Sequence, residues 1–126
     1  MNGLIMKVLA VSCGASGGAL LRWRLGLAFN ASWAGFPLGT LTANLVGGLL
    51  IGVALEWFGR TPNELLQLLM VTGFLGGLTT FSAFSGESLL LLQRGHYEMA
   101  LLHSGVHVLG ALTTAALGMR LAQWLL

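Results

Sequence analysis

The 126-residue chain is 56% hydrophobic and only 8% charged, with a formal net charge of +2. Soluble domains carry roughly 25% charged residues, so these few charges could not cover a globule of this size in water. The six basic residues are spread along the chain, which makes nucleic acid an unexpected partner. A single cysteine excludes a disulfide within the chain. The composition predicts an integral membrane protein.

Four apolar segments are long enough to cross a bilayer as helices, because a crossing takes about 20 residues. Their approximate bounds are 4–29, 38–58, 65–93 and 97–126. The connections are too short to hold a soluble domain, so residues 1–126 are expected to form one membrane domain of antiparallel helices. Pairs of glycines four residues apart, which let membrane helices approach closely, occur in three of the spans: Gly14/Gly18, Gly48/Gly52 and Gly73/Gly77.

The first two spans each carry a polar side chain near or inside the apolar region. Arg22 lies near the end of the first span and could either reach the lipid headgroups or draw anions into a vestibule. Asn44 lies inside the second span, where an unpartnered amide costs about 2–7 kcal/mol. We therefore expect Asn44 either to hydrogen-bond another helix or to present a donor to an ion or substrate.

The third span contains the most informative motif of the chain. Its run Gly76-Gly77-Leu78-Thr79-Thr80 joins two glycines to two β-branched residues, and both pairs weaken a helix. The pattern predicts a helix that breaks near residues 76–80. Backbone that leaves a helix at membrane depth must line a polar cavity or be covered by protein, and broken helices of this kind form ion sites.

Aromatic and polar side chains follow the predicted break. Phe81 and Phe84 form one stripe, and Glu87 is deep enough to need a partner. The serines recur every three residues on a neighbouring face: Ser82, Ser85 and Ser88. Hydroxyl and amide hydrogens with electropositive ring edges suit a small anion, while carbonyl oxygens freed at Gly76 and nearby suit a cation such as Na⁺. The segment predicts ion transport.

The fourth span brings two histidines onto one helix face. His103 and His107 are four residues apart, which makes a metal site conceivable. Two ligands are too few, however, and no carboxylate or cysteine stands beside them in the sequence. We therefore expect no metal at this histidine pair.

The basic residues are balanced between the two sides of the predicted bundle. An even number of spans puts Lys7, Arg60 and Arg120 on one side and Arg22, Arg24 and Arg94 on the other. Orientation normally follows the excess of Lys and Arg on one side, and here the difference is zero. The sequence predicts that the protein inserts in both orientations and pairs with an antiparallel copy of itself.

The run from Gly73 to Glu87 resembles the signature of the Fluc (CrcB) fluoride channels, and so do Arg22-Trp23 and the run from Pro37 to Leu45. The likeness covers essentially the whole chain. It departs from the family at Ala83 and Ala111, where many members carry Thr and Ser.

The resemblance implies an all-α, dual-topology homodimer in the cell inner membrane that passively exports fluoride and is not an enzyme. It implies that the pore is lined by Phe81, Phe84, Asn44, Ser82 and Ser85. Arg22 is implied at a vestibule and Glu87 along the polar path. A structural Na⁺ at the dimer centre would be held by the backbone carbonyls of Gly76 and Thr79.

Three other classes of membrane protein are alternatives to a channel. A small dual-topology drug exporter needs a carboxylate in the first span, which this chain lacks. Gly14-Ala15-Ser16-Gly17 matches the GxSG of rhomboid proteases, with His103 or His107 as the base that a serine nucleophile needs, but rhomboids have about six spans. A purely structural membrane subunit is the third alternative.

Overall fold

A computed structural model describes residues 2–30 and 36–126. In this part of the chain four helical spans are long and apolar enough to cross a membrane. They are α1 (Asn2–Phe29), α2 (Leu38–Arg60), a third span (Glu64–Gln93) and a fourth (Tyr97–Leu125). The predicted all-α multi-pass membrane architecture is confirmed, and every predicted span end lies within two residues of the observed one.

The third span is broken into two half-helices. Half-helix α3 consists of an α-helical turn (Glu64–Gln67), a π-helical segment (Leu68–Leu75) and a last α-helical turn (Gly76–Leu78). Half-helix α4 is Phe81–Gln93, and the fourth span is α5. Between the half-helices, Thr79 and Thr80 are extended, with ψ angles of 153° and 116°. The predicted break is confirmed.

The break lies on the threonines and not on the glycines. Gly76 and Gly77 both remain helical, so their flexibility does not open the helix, contrary to the interpretation of the sequence. A Cβ on Gly77 would overlap the Ala15 carbonyl of α1, which shows that this glycine serves packing. The hydroxyl of Thr80 accepts the Ala83 amide hydrogen at 3.1 Å, and this N-cap begins α4.

The helices pack as two parallel pairs. Half-helix α3 lies along α1, and α2 lies along α5. Lys7 and Glu64, near the start of α1 and α3, form an ion pair at 2.7 Å. Glu56 and Gln123, near the ends of α2 and α5, are joined by a hydrogen bond of 3.3 Å. Spans one and three therefore run in one direction and spans two and four in the other.

Glycines form the contacts within both pairs. A Cβ on Gly18 would overlap the Phe74 carbonyl of α3, and a Cβ on Gly52 would overlap the Ala115 carbonyl of α5. Large apolar side chains such as Leu101 and Leu109 point outward, at 76% and 67% exposure. This arrangement suits lipid, where helices associate through small residues and not through a large apolar core.

A tight turn brings α4 back against α5. Gly95 has a positive φ of 79°, and the amides of Gly95 and His96 donate to the carbonyls of Leu92 and Leu91 at 3.0 and 2.9 Å. This is the Schellman pattern of a helix C-terminus, which favours glycine at the left-handed position. The turn sets the face of α4 that carries Phe84 and Glu87 against the histidines of α5.

Candidate functional site

A cavity of about 480 Å³ lies at the break in the third span. Its walls come from α2, both half-helices and α5, and they are mostly apolar. The polar and aromatic groups among its lining residues are Asn44, Thr79, Thr80, Phe81, Phe84 and His107. The break thus opens onto a cavity, as backbone that leaves a helix inside a membrane requires.

Asn44 replaces the missing helix partners of the broken backbone. The Thr80 amide donates to Asn44 Oδ1 at 2.8 Å, and Asn44 Nδ2 donates to the Thr80 carbonyl at 3.2 Å. Asn44 Nδ2 also lies 3.1 Å from His107 Nδ1. The predicted hydrogen bond to another helix is present, and it satisfies two backbone groups that would otherwise be unpaired inside the membrane.

The carbonyl groups that end α3 have lost their usual donors. In an unbroken helix the Gly76 carbonyl would accept from the Thr80 amide, which here donates to Asn44. The Gly77 carbonyl accepts from Arg22 Nε at 3.1 Å, so Arg22 places its charge at the C-terminus of α3, where a cation is favourable. The Thr79 hydroxyl donates to the Leu75 carbonyl at 2.8 Å.

The two phenylalanines form one aromatic group with the histidines of α5. The rings of Phe81 and Phe84 meet edge to face, with centroids 5.4 Å apart and planes at 68°. Phe84 stacks on His103 at 5.5 Å and on His107 at 5.0 Å. Phe81 is 80% exposed, so much of its ring is not covered by the described residues of this chain.

Glu87 lies within a chain of side-chain hydrogen bonds that joins α2, α4 and α5. Its Oε2 accepts from the Thr40 hydroxyl at 2.7 Å, and its Oε1 lies 3.3 Å from His103 Nε2. His103 Nδ1 lies 2.7 Å from the Ser88 hydroxyl, which is 3.1 Å from that of Ser104. The carboxylate therefore has the partners that its depth requires.

The histidine pair has a carboxylate beside it, contrary to the sequence-based expectation. One ligand atom each of Glu87, His103 and His107 lies within 4.8 Å of the others, a set that could in principle hold a metal. The carboxylate was overlooked because Glu87 is 16 residues from His103 in the chain and meets it only through the turn at Gly95. The Nδ1 atoms of His103 and His107 already lie within hydrogen-bond distance of Ser88 and Asn44, respectively.

The predicted serines divide between two environments. Ser82 and Ser85 are exposed and are not among the residues that line the cavity, although Ser82 lies 3.3 Å from the Thr80 hydroxyl. Ser88 faces inward and contacts α5. The three-residue spacing predicted that all three serines share one face. Because an α-helix has 3.6 residues per turn, side chains three residues apart point in progressively different directions along α4.

Two members of the site were considered by the sequence reasoning only as metal ligands or as a protease base, and were given no place in the pore. His103 and His107 are buried, with exposures of 0% and 4%. Between them they contact Phe84, Asn44, Glu87 and Ser88. Their signal was present in the sequence, because an ionisable residue inside a membrane span is by itself a candidate for function.

Comparison with known proteins gives one consistent result. Residues 9–119 match the family described as CrcB-like protein, Camphor Resistance (CrcB). A protein of Aromatoleum aromaticum is 54% identical over 87% of this chain and 86% of its own length. A protein of Tolumonas auensis is 52% identical over 92% of this chain and 93% of its own length. A protein of Escherichia coli is 44% identical over 97% of this chain and 94% of its own length.

All three relatives bear the name fluoride-specific ion channel FluC. The prediction that the chain is not an enzyme is confirmed, since the family is one of ion channels. The Ser16 hydroxyl that suggested a protease donates instead to the Ser12 carbonyl of its own helix at 2.8 Å. The chain belongs to the CrcB family of FluC fluoride channels.

Proposed function

We propose that this protein is a fluoride-selective channel that lets fluoride leave the cytoplasm passively across the cell inner membrane. The observation that carries the proposal is the broken third span, whose cavity joins an amide and two edge-to-face phenylalanine rings. Relatives as similar as 54% identity bear the name of a fluoride-specific channel. Passive export relieves fluoride toxicity, because fluoride that has accumulated in the cytoplasm diffuses out through the channel along its electrochemical gradient.

The residues around the cavity suit a small anion. We assign the pore to Phe81, Phe84 and Asn44, with Ser82 and Ser85 on the exposed side of α4. Ring edges carry partial positive charge and attract an anion without the full charge that would hold it too tightly for conduction. Arg22 would bring positive charge near the vestibule, and Glu87 would lie toward one end of the polar path.

We propose further that two copies pair antiparallel, so that the exposed face of the break is covered. Phe81 is 80% exposed, and Ser82, Ser85 and Gly76 are also exposed. Polar groups and backbone at membrane depth need cover by protein or a water-filled path. The equal numbers of basic residues on the two sides favour insertion in both orientations, which supplies the antiparallel partner.

A structural Na⁺ at the centre of that dimer would be held by the carbonyls of Gly76 and Thr79. The residues fit such an ion, because hard cations prefer oxygen ligands and the helical donor to the Gly76 carbonyl is committed to Asn44. Two carbonyls from each subunit would supply four oxygens. The Na⁺ would hold the two breaks together and neutralise their partial negative charge.

Fluoride efflux from proteoliposomes tests the function. Vesicles that contain the purified protein should release fluoride on addition of an ionophore for the counter-ion, and chloride-loaded vesicles should not. A purely structural subunit or a drug exporter would release neither anion. Absence of fluoride release from vesicles with correctly assembled protein would rule out the channel.

Replacement of Phe81 or Phe84 by isoleucine tests the pore assignment. Each change removes an electropositive ring edge while keeping apolar bulk, and we expect fluoride efflux to fall by roughly 2- to 10-fold with dimer assembly intact. Leu101→Ile, on the exposed face of α5, is the matched control. Undiminished efflux in both phenylalanine variants would contradict their role.

Access to a C-terminal tag tests the topology. In cells and in spheroplasts, a dual-topology protein should show its tag on both faces of the membrane in similar amounts. A tag found on one face alone would exclude the antiparallel pair while leaving the channel function open.

A further inference from the structure

We propose that Asn30, directly after α1, is a positioning residue that holds the first turn of α2 so that the Thr40 hydroxyl meets the Glu87 carboxylate. The inference rests on the proposed channel function, in which Glu87 lies toward one end of the polar path. It follows from the way in which α2 begins.

Helix α2 begins without a side-chain cap of its own. Its N-cap residue is Pro37, which offers no side-chain acceptor, although the first amides of a helix need partners from outside it. The Leu38 amide donates to the Phe36 carbonyl at 2.9 Å. The Thr40 amide, the third of the helix, donates to Asn30 Oδ1 at 3.0 Å. Asn30 therefore supplies the cap, a role for which asparagine is among the preferred residues.

Two glycines confine the side chain of Asn30. A Cβ on Gly39 would lie 2.7 Å from Asn30 Oδ1 and would overlap the Leu25 carbonyl, and a Cβ on Gly26 would lie 3.2 Å from Asn30 Nδ2. The Asn30 amide itself donates to the Gly26 carbonyl at 3.0 Å. The end of α1 and the start of α2 thus meet closely enough for one asparagine side chain to join them.

The capped turn carries a side chain that reaches the site. Thr40 is buried, with 6% exposure, and its hydroxyl donates to Glu87 Oε2 at 2.7 Å. Its backbone amide is held by Asn30. Because χ1 of a β-branched residue is restricted, fixing the backbone of Thr40 also limits the direction of its hydroxyl. Asn30 therefore acts on Glu87 through Thr40.

The start of α2 also covers the other partner of Glu87. The second carboxylate oxygen of Glu87 lies 3.3 Å from His103 Nε2. Phe36, just before α2, is 5% exposed, and its ring meets that of His103 edge to face, with centroids 5.4 Å apart. A carboxylate at membrane depth depends on its partners. Displacement of the first turn of α2 would therefore disturb both sides of this carboxylate.

A second asparagine provides a matched control. Asn63 Oδ1 accepts the Leu66 amide hydrogen at 3.0 Å and caps α3, so the bond has the same type and length as that of Asn30. Its hydrogen bond is exposed, and α3 begins on the face of the bundle opposite to the start of α2. Loss of this cap should weaken a helix start without moving Glu87.

Fluoride efflux from proteoliposomes measures the functional effect. Asn30→Leu removes the acceptor at similar volume, whereas Asn30→Asp keeps an acceptor oxygen in the same place. An N-cap bond changes the ratio of capped to uncapped helix starts by about 2- to 30-fold, so Asn30→Leu should slow efflux by a factor in that range. Asn30→Asp should be faster than Asn30→Leu, and Asn63→Leu should equal wild type. Equal efflux in Asn30→Leu and wild type, or in Asn30→Leu and Asn30→Asp, would overturn the proposal.

A double substitution tests whether Asn30 acts through Thr40. Residues that act on one contact are not additive, so Asn30→Leu combined with Thr40→Val should be no slower than the slower of the two single variants. Fully multiplied effects would contradict the proposed route.

Carbon-13 nuclear magnetic resonance of the glutamate carboxylates supplies a readout that a general loss of stability would not give. The chain has only four acidic residues, and Glu87→Gln identifies the Glu87 signal. That signal should shift in Asn30→Leu in the same direction as in Thr40→Val, and should stay in place in Asn63→Leu. An unmoved signal in Asn30→Leu would reject the positioning role.

Hydrogen exchange in the wild-type protein needs no variant to fold. We expect the Thr40 amide to be protected, and rapid exchange there would show that Asn30 does not hold it. The two proposals fail in different ways. Wild-type vesicles that release no fluoride would reject the channel function, whereas fluoride release that is equally fast in Asn30→Leu would reject only the role of Asn30.

Discussion

Replacement of Asn44 by leucine removes, in one step, the partners of a broken backbone inside the membrane. The side chains have similar volumes, but leucine can neither accept from the Thr80 amide at 2.8 Å nor donate to the Thr80 carbonyl at 3.2 Å. It also leaves the His107 ring without its 3.1 Å contact. Two backbone groups and one ring nitrogen are then unpaired in a largely apolar cavity.

The expected loss of stability can be bounded from the two backbone groups. In soluble proteins, each orphaned group costs about 1–3 kcal/mol, or about 2–6 kcal/mol for the two. Hydrogen bonds between membrane helices average about 0.6 kcal/mol and reach about 1.7 kcal/mol, because the unfolded chain in lipid also finds partners. The membrane value applies here, so Asn44→Leu should lower the free energy of unfolding by about 1–3 kcal/mol.

Reversible unfolding in bicelles, together with hydrogen exchange at the Thr80 amide, measures this effect. The variant should exchange that amide faster and release fluoride more slowly. Thr42→Val is the matched control on the same helix, because the Thr42 hydroxyl donates only to the Leu38 carbonyl of its own helix, at 2.7 Å. An Asn44→Leu protein with wild-type stability and a protected Thr80 amide would refute the argument.

Two further predictions concern packing and charge. Gly18→Ala should destabilise the fold by about 1–3 kcal/mol, because the added methyl group would overlap the Phe74 carbonyl. Gly17→Ala is the control, since its methyl group would meet only the Phe74 ring, at 3.8 Å. Equal melting temperatures of the two variants, measured by size-exclusion chromatography after heating, would contradict this prediction. Lys7→Ala should cost less than about 1 kcal/mol, because its ion pair with Glu64 is exposed on both sides, and a larger loss in the same assay would mean that the pair organises the ends of α1 and α3.

Local information was sufficient for the architecture. The four spans could be placed within two residues, because a bilayer demands a minimum apolar length for each crossing. The break could be placed near residues 76–80, because β-branched threonines beside glycines weaken a helix locally. The π-helical turns of Leu68–Leu75 were not foreseen, since nothing in their apolar pattern distinguishes them from ordinary helix.

The partners of the polar residues could not be obtained in the same way. Asn44 and Thr80 are 36 residues apart, and Glu87 and His103 are 16 apart, so no periodicity relates them. The sequence alone therefore determined a membrane bundle with a broken third helix and polar groups at the break. Only the tertiary structure decided that Asn44 pairs with the Thr80 backbone at the break and lies beside His107, because a hydrogen bond depends on distances and directions between helices that no local pattern encodes.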